Sequence, residues 1–179
     1  MSPMSKIIAQ SKMKEKNNEC GGREGFIDTD GNYVIKLTDK VDYASFSDGY
    51  ALIRKGNKWG FIDKKGNIVI KPAFYGAADF KEGFASIMEK VGDKYLSGYI
   101  NKKGKMITKA IYEEVDDFQE GMACVKKNGK YGFINKKGKL VVNAIYDNAF
   151  SYENGLAYVA KGSNAYFIDK TGKKVITIK

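Results

Sequence analysis

The residues that could do chemistry in this chain are few in kind and unevenly placed. Lysine dominates. Of 31 basic residues only Arg23 and Arg54 are arginines, and the net charge is +10. Lysine pairs recur at Lys64-Lys65, Lys102-Lys103, Lys136-Lys137 and Lys173-Lys174. If equivalent turns align, these pairs form one basic ridge, suited to a nucleic acid, an anionic glycan or an acidic protein. The scarcity of arginine argues against base-specific reading, because arginine is the favoured partner of guanine. Lysines on exposed turns and sheet edges also keep a chain from pairing with its neighbours, and that solubility role accounts for the ridge more economically. Tyr75, Tyr95, Tyr112 and Tyr146 add the potential to stack on a sugar ring.

Catalytic chemistry is poorly provided for. The carboxylates Glu113-Glu114 and Asp116-Asp117 cluster. Paired acids can hydrolyse glycosides when held about 5 Å or about 6.5–9.5 Å apart. The corresponding stretches elsewhere in the chain lack this cluster, however, and acids in loops are ordinarily solvated. Asp28-Thr29-Asp30-Gly31 hints at a calcium loop but lacks the closing glutamate and the further oxygen ligands, so a turn is expected. Cys20 and Cys124 are too few for a disulfide framework. Cys124 lies in an apolar strand pattern and is expected to be a small buried hydrophobe. Cys20 lies in the tail and is expected to be a free thiol. There is no histidine, which rules out a Ser–His or Cys–His pair within the chain and removes the commonest transition-metal ligand. No catalytic residue, metal site or cofactor is expected, and no enzymatic activity.

The elements that would position these groups repeat. Trp59-Gly60-Phe61-Ile62-Asp63-Lys64-Lys65-Gly66 is echoed at Tyr131-Gly132-Phe133-Ile134-Asn135-Lys136-Lys137-Gly138, with weaker copies starting at Glu24, Ser97 and Ala165. The turn glycines Gly31, Gly66, Gly104, Gly138 and Gly172 are 35, 38, 34 and 34 residues apart. A period near 34 marks a tandem array. Asp28, Asp63, Asn101, Asn135 and Asp169 each stand three places before their glycine. Such a side chain can bond the backbone amides ahead of it, and the glycine then closes a hairpin loop. The β-branched and aromatic runs on either side predict strands A and B. A second recurring turn (Phe46-Ser47-Asp48-Gly49, Phe80-Lys81-Glu82-Gly83, Phe118-Gln119-Glu120-Gly121, Tyr152-Glu153-Asn154-Gly155) leads into strand C, whose second residue is always alanine. That alanine suggests either a close approach between units or simple alternation with larger residues. Strand B joins strand C through an irregular or short helical turn, because Lys71-Pro72-Ala73-Phe74 does not suit a long central strand. Phe74, Tyr112 and Tyr146 fall in register there and are expected to plug the space between units.

This pattern, aromatic-Gly-Phe-Ile-(Asp/Asn)-Lys-Lys-Gly followed by an aliphatic strand, Phe-x-(Asp/Glu)-Gly and another strand, resembles the bacterial WG β-repeat family over about residues 24–179. Trp59-Gly60 is the one literal copy and Tyr131-Gly132 a conservative variant. Ser97-Gly98 and Glu24-Gly25 keep the glycine alone, and Ala165-Tyr166 keeps neither. The resemblance implies a non-enzymatic β-rich module for binding or scaffolding. It permits a bacterial immunity or effector-associated protein that blocks a partner.

The expected fold is therefore all-β: antiparallel β-meander repeats of about 34 residues, stacked as an open curved array in preference to a closed propeller-like ring. Copies span about 24–58, 59–96, 97–130, 131–164 and 165–179, giving four A-B-C units and one A-B pair. Residues 1–23 form a tail, disordered or with a short capping helix at Met4, Ile7 and Ile8. The apolar run there is too short for a secretory signal, and no stretch approaches a membrane span of about 18 apolar residues, so a cytoplasmic location is expected. A protein partner is expected, with weak polyanion or cell-wall-glycan contact as the alternative. Exposed end strands predict a monomer or a weak end-to-end dimer.

Overall fold

The structure, a computed structural model, describes residues 9–13, 23–27, 33–36, 41–43 and 46–177. It divides into two compact units, Met1–Ala73 and Phe74–Lys179. In the first unit β1 (Ala9–Met13), β2 (Arg23–Ile27) and β3 (Tyr33–Lys36) form one sheet. β4 (Val41–Tyr43), β5 (Tyr50–Lys55), β6 (Lys58–Asp63) and β7 (Ile68–Phe74) form a second. The second unit holds three sheets. The third sheet is β8 (Gly76–Ala77), β9 (Phe84–Val91), β10 (Lys94–Asn101) and β11 (Met106–Tyr112). The fourth is β12 (Glu114–Val115), β13 (Met122–Lys127), β14 (Lys130–Asn135) and β15 (Leu140–Tyr146). The fifth is β16 (Asn148–Ala149), β17 (Ala157–Lys161), β18 (Asn164–Ile168) and β19 (Lys174–Thr177). All are antiparallel meanders, none closes on itself, and no helix occurs among the described residues. Correspondingly, no helix there is long and apolar enough to cross a membrane.

Three features differ from the sequence expectation. First, strands B and C are joined through a further short strand (β4, β8, β12 or β16) and not through a helical turn, which together with β1 brings the strands among the described residues to 19. Pro72 lies inside β7, which a proline tolerates because β7 is the edge strand of its sheet. Second, each four-stranded sheet runs short strand, C, A, B, so the sequence copies and the sheets are out of phase: the hairpin from C to A crosses the copy boundary. Third, Ala9–Met13 is a strand paired with Arg23–Ile27, where a disordered or helical tail was expected; the rest of that tail, including Cys20, lies outside the described residues.

The turns form as their chemistry demands. Asp63 Oδ1 accepts from the Lys65 and Asn67 amides at 2.8 and 2.9 Å, and Asn101, Asn135 and Asp169 repeat this geometry. The Asp28 turn falls outside the described residues. Between β13 and β14 the two central residues Asn128 and Gly129 both have positive φ, as a two-residue hairpin matching strand twist requires.

In the second unit the sheets stack face to face. Met122 and Cys124 of β13 join an apolar cluster with Ala149, Tyr152, Ala157, Val159 and Ile168 of the fifth sheet. Ala123 and Val125, pointing the other way, cluster with Tyr99, Tyr112 and Phe118 on the side of the third. The fourth sheet is thus buried on both faces, which is why Met122 to Val125 are all buried in succession. The recurring alanines Ala51, Ala85, Ala123 and Ala157 are all buried.

The glycine of the aromatic-Gly pair has a specific reason. Tyr131 pairs with Tyr146 and Phe133 with Val142, so Gly132 alone faces the three residues Asn143 to Ile145 in a bulge. A Cβ on Gly132 would lie 2.6 Å from the Val142 carbonyl oxygen and 2.7 Å from the Ala144 nitrogen. Gly60 and Gly98 are equally crowded by the backbone of their own strand B. In the fifth sheet Tyr166 takes this place, and β19 pairs with it in register, Tyr166 with Thr177 and Phe167 with Ile176, without the bulge there. Gly132→Ala should therefore destabilise the protein by about 1–3 kcal/mol, the usual cost of overpacking against a backbone that has to move. The midpoint of urea unfolding measures it, and an unchanged midpoint would mean that the bulge yields freely.

Candidate binding surface

Sheets in the second unit are joined at the turn before strand C. Phe118 inserts between Phe84 and Tyr99 of the preceding sheet, with ring centroids 4.8 and 5.1 Å away. Tyr152 meets Phe133 in the same manner at 4.9 Å. The hydroxyl of Tyr99 donates to the Asp116 carbonyl and that of Tyr152 to the Asp169 carbonyl, and burial pushes both phenols well above the ordinary tyrosine range.

Beside each aromatic plug lies a carboxylate hook. Glu82 and Glu120 sit at φ 50° and 51°, a left-handed conformation uncommon for glutamate. Their carboxylates reach the next turn of the stack: Glu82 accepts from the Gly121 amide and Glu120 from the Gly155 amide, each at 2.9 Å. Lysines of the A–B turns complete the contact, Lys136 to Glu82 at 3.1 Å and Lys170 to Glu120 at 3.2 Å. Burial acts to raise the Glu82 carboxyl, but the bonds from Gly121 and Lys136 outweigh it and hold it below the ordinary value. Glu120 is held low by the Gly155 amide and Lys170.

These contacts redraw the basic ridge. The first lysine of the pair in the fourth sheet, Lys136, is spent on the joint, as is its counterpart Lys170 in the fifth. Lys64, Lys65, Lys103 and Lys137 are exposed and Lys102 is half-buried. Lys173-Lys174 is not the equivalent pair, since Lys170-Thr171 occupies that place. Lys173 instead donates its amide to Asp169, and Lys174 stands in β19 with its ammonium 4.7 Å from the Tyr166 ring centroid. Tyr112 and Tyr146 are each 4 % exposed and belong to the core, so they leave the candidate surface; their plugging role stands. Tyr75 and Tyr95 are exposed and meet edge to face at 5.3 Å.

The acidic cluster is largely engaged. Glu113 accepts from the Gly129 amide at 3.0 Å. Glu114 accepts from Lys126 at 2.6 Å and from the Tyr131 hydroxyl at 2.7 Å, which hold it below the ordinary carboxylate range. Asp117 pairs with Lys81 at 2.8 Å, and Ser151 donates to Asp116 at 3.3 Å. Burial raises Asp116 and Asp79; Asp117 adds to the effect on Asp79, whose Oδ1 is buried without a hydrogen-bond partner. No group of three or more acidic or thiol ligands that could hold a metal exists among the described residues. Cys124 is buried, and burial pushes its thiol up to about 12, which leaves it inert as a nucleophile at neutral pH.

Sequence reasoning missed a groove of about 520 Å³ between the third and fourth sheets. Its floor holds Gly76, Met88 and Ser97, and its far wall is Glu113 to Asp116. In the fourth sheet the matching positions carry Glu114, Lys126 and Tyr131, which bond one another. Exchanging that trio for Gly76, Met88 and Ser97 opens the space. The signal was the departure of Ser97 from the aromatic seen at Trp59 and Tyr131.

A family model described as "WG containing repeat" matches four times, at residues 25–59, 59–95, 98–131 and 131–164. No curated protein matches the sequence. Among solved structures, a protein of unknown function from Bacteroides caccae is similar at 15% identity with a TM-score of 0.37, over 89% of this chain and 70% of that one.

The hooks make stability depend on acid. Both carboxylates are held below their ordinary value of 4.5 in the folded state. Their contribution is complete above that value and is lost as pH falls through the depressed folded value. Urea midpoints taken from neutral pH down to about pH 3 should fall on the acid side. A Glu82→Gln, Glu120→Gln double variant should start lower at neutral pH and fall less steeply. Parallel curves would remove the hooks from the account.

Proposed function

We propose that this chain, which belongs to the WG containing repeat family, is a non-enzymatic module that binds a partner protein through its repeat surface. The observation that carries this reading is the outer edge of the third and fourth sheets. β11 and β15 are the long edge strands, and each presents an isoleucine at the same repeat position: Ile111, 40% exposed, and Ile145, 42% exposed. An unpaired strand edge offers main-chain donors and acceptors, and alternate side chains add selectivity, which is how extended segments of other proteins are recognised. The engagement of the carboxylate cluster supports binding over catalysis.

The exposed Lys103 and Lys137, with Tyr75 and Tyr95 on the same unit, favour a second reading as a weak polyanion or glycan binder. Salt separates the two. Binding by backbone and apolar contacts persists in high salt, whereas polyanion binding weakens steeply as salt rises.

The test is capture of partners from the native cell by immobilised protein, washed at low and high salt. One stoichiometric protein should survive high salt. An Ile111→Asp, Ile145→Asp variant should lose about tenfold or more in affinity for it, while Lys103→Glu, Lys137→Glu should keep it. Material lost entirely in high salt, and dependent on the lysines, would overturn this reading in favour of the second.

A further inference from the structure

The groove between the third and fourth sheets lies where the chain elsewhere places an aromatic ring of its own. The cross-strand pairs Arg54 with Trp59, Met88 with Ser97, and Lys126 with Tyr131 hold the same repeat position in successive sheets. The Arg54 guanidinium stands 5.7 Å from the Trp59 ring centroid, and the Lys126 ammonium 5.1 Å from that of Tyr131. Tyr131 also packs against the apolar cluster that joins the fourth sheet to the fifth. In the third sheet Ser97 supplies no ring, and the space of about 520 Å³ is left open. That volume is typical of small-molecule sites.

The lining says what would enter. Two small polar residues are buried among the described residues, Ser97 and Thr108. The Thr108 hydroxyl accepts from the Tyr99 amide at 3.0 Å. Ser97 is 7% exposed and lines the groove, and its hydroxyl has no hydrogen-bond partner among the described residues. A buried hydroxyl left unpaired is costly, and a ligand that exchanges a hydrogen bond with it removes that cost. Met88 replaces the cation of the other two sheets, so the floor offers a thioether, which makes favourable contacts with aromatic rings. Gly76 leaves this methionine uncovered: a Cβ there would fall 3.2 Å from the Met88 Cβ. No lysine or arginine lines the groove, so an anion would find no counter-charge in it.

We propose that this groove binds a small neutral aromatic molecule carrying a hydroxyl or ring N–H, with the ring over Met88, in the place that Trp59 and Tyr131 fill in their own sheets, and the polar group bonded to Ser97. The site is separate from the strand edges invoked above, and neither reading rests on the other.

Titration of p-cresol, the tyrosine side-chain analogue, into the isotopically labelled full chain tests it. The expected result is saturable binding that moves the amide signals of Gly76, Met88 and Ser97. Ser97→Ala should weaken p-cresol about fivefold, the worth of one hydrogen bond, and leave toluene, which lacks the hydroxyl, unchanged. Ser97→Tyr, which restores a ring from the chain itself, should abolish binding; its amide spectrum shows whether it is folded, and the Ser97→Ala comparison stands without it. N-acetyltyrosinamide, which carries the same ring on a peptide unit, should bind more weakly than p-cresol. Tighter binding of that compound would make the occupant a partner's side chain and overturn the small-molecule reading. Methylcyclohexane bound as tightly as toluene, p-cresol binding indifferent to Ser97→Ala, signals that move only elsewhere, or no saturable binding would each overturn the proposal.

Discussion

The joint between successive sheets is the contact on which the second unit depends. A lone four-stranded meander buries one face at most. Inserting Phe118 between Phe84 and Tyr99 gives the third sheet a covered face and gives the fourth its first. Each such ring removed from water contributes about 1.5–3 kcal/mol before its entropy is counted. The hydrogen bonds around the ring do a different task. Glu82 takes the Gly121 amide and Tyr99 takes the Asp116 carbonyl, so the turn that carries the plug enters an apolar site without stranding its own backbone groups. The left-handed glutamate is tolerated because its carboxylate is bonded across the joint.

The second constraint lies within each sheet. Strand B has to bend back toward the next short strand, and it does so through a bulge over a residue without a side chain. This explains why the glycine outlasts the aromatic beside it. Ser97-Gly98 loses the aromatic and keeps the bulge, whereas Ala165-Tyr166 loses the glycine and β19 pairs in register with Tyr166 and Phe167, without the bulge at that position. The aromatic is a local device, with Tyr131 resting on Lys126 and Glu114, and its replacement by Ser97 costs contacts and opens a groove but leaves the strands where they were.

Much of the fold was legible because its signals are local. The Asx turns and the Asn-Gly hairpin each follow from a few neighbouring residues, and the structure places them as the chemistry requires. What escaped was long-range. Tyr112 and Tyr146 look equally fit for a surface or a core, and only the arrival of the next sheet buries them. Lys136 and Lys170 look like solvated cations, and only the stacking brings Glu82 and Glu120 to them. Lys173-Lys174 misled because it lies three places beyond the equivalent Lys170-Thr171, where Thr171 stands in place of the second lysine. Pro72 argued against a strand only so long as that strand was taken to be central.

The offset between sequence copy and sheet has a consequence for how such a chain is made and how it changes length. Tyr99 and Phe118 lie within one copy, as do Phe133 and Tyr152, whereas Phe84 and the hook Glu82 of the first of these joints come from the copy before. A growing chain has the plug and its facing aromatic once one copy has left the ribosome, and the rest of the socket is already made in the copy before it. Duplication or loss of a whole copy in the gene likewise adds or removes a finished joint, leaving no orphaned face in the middle of the stack. Copy number can therefore drift over evolutionary time at little cost to folding.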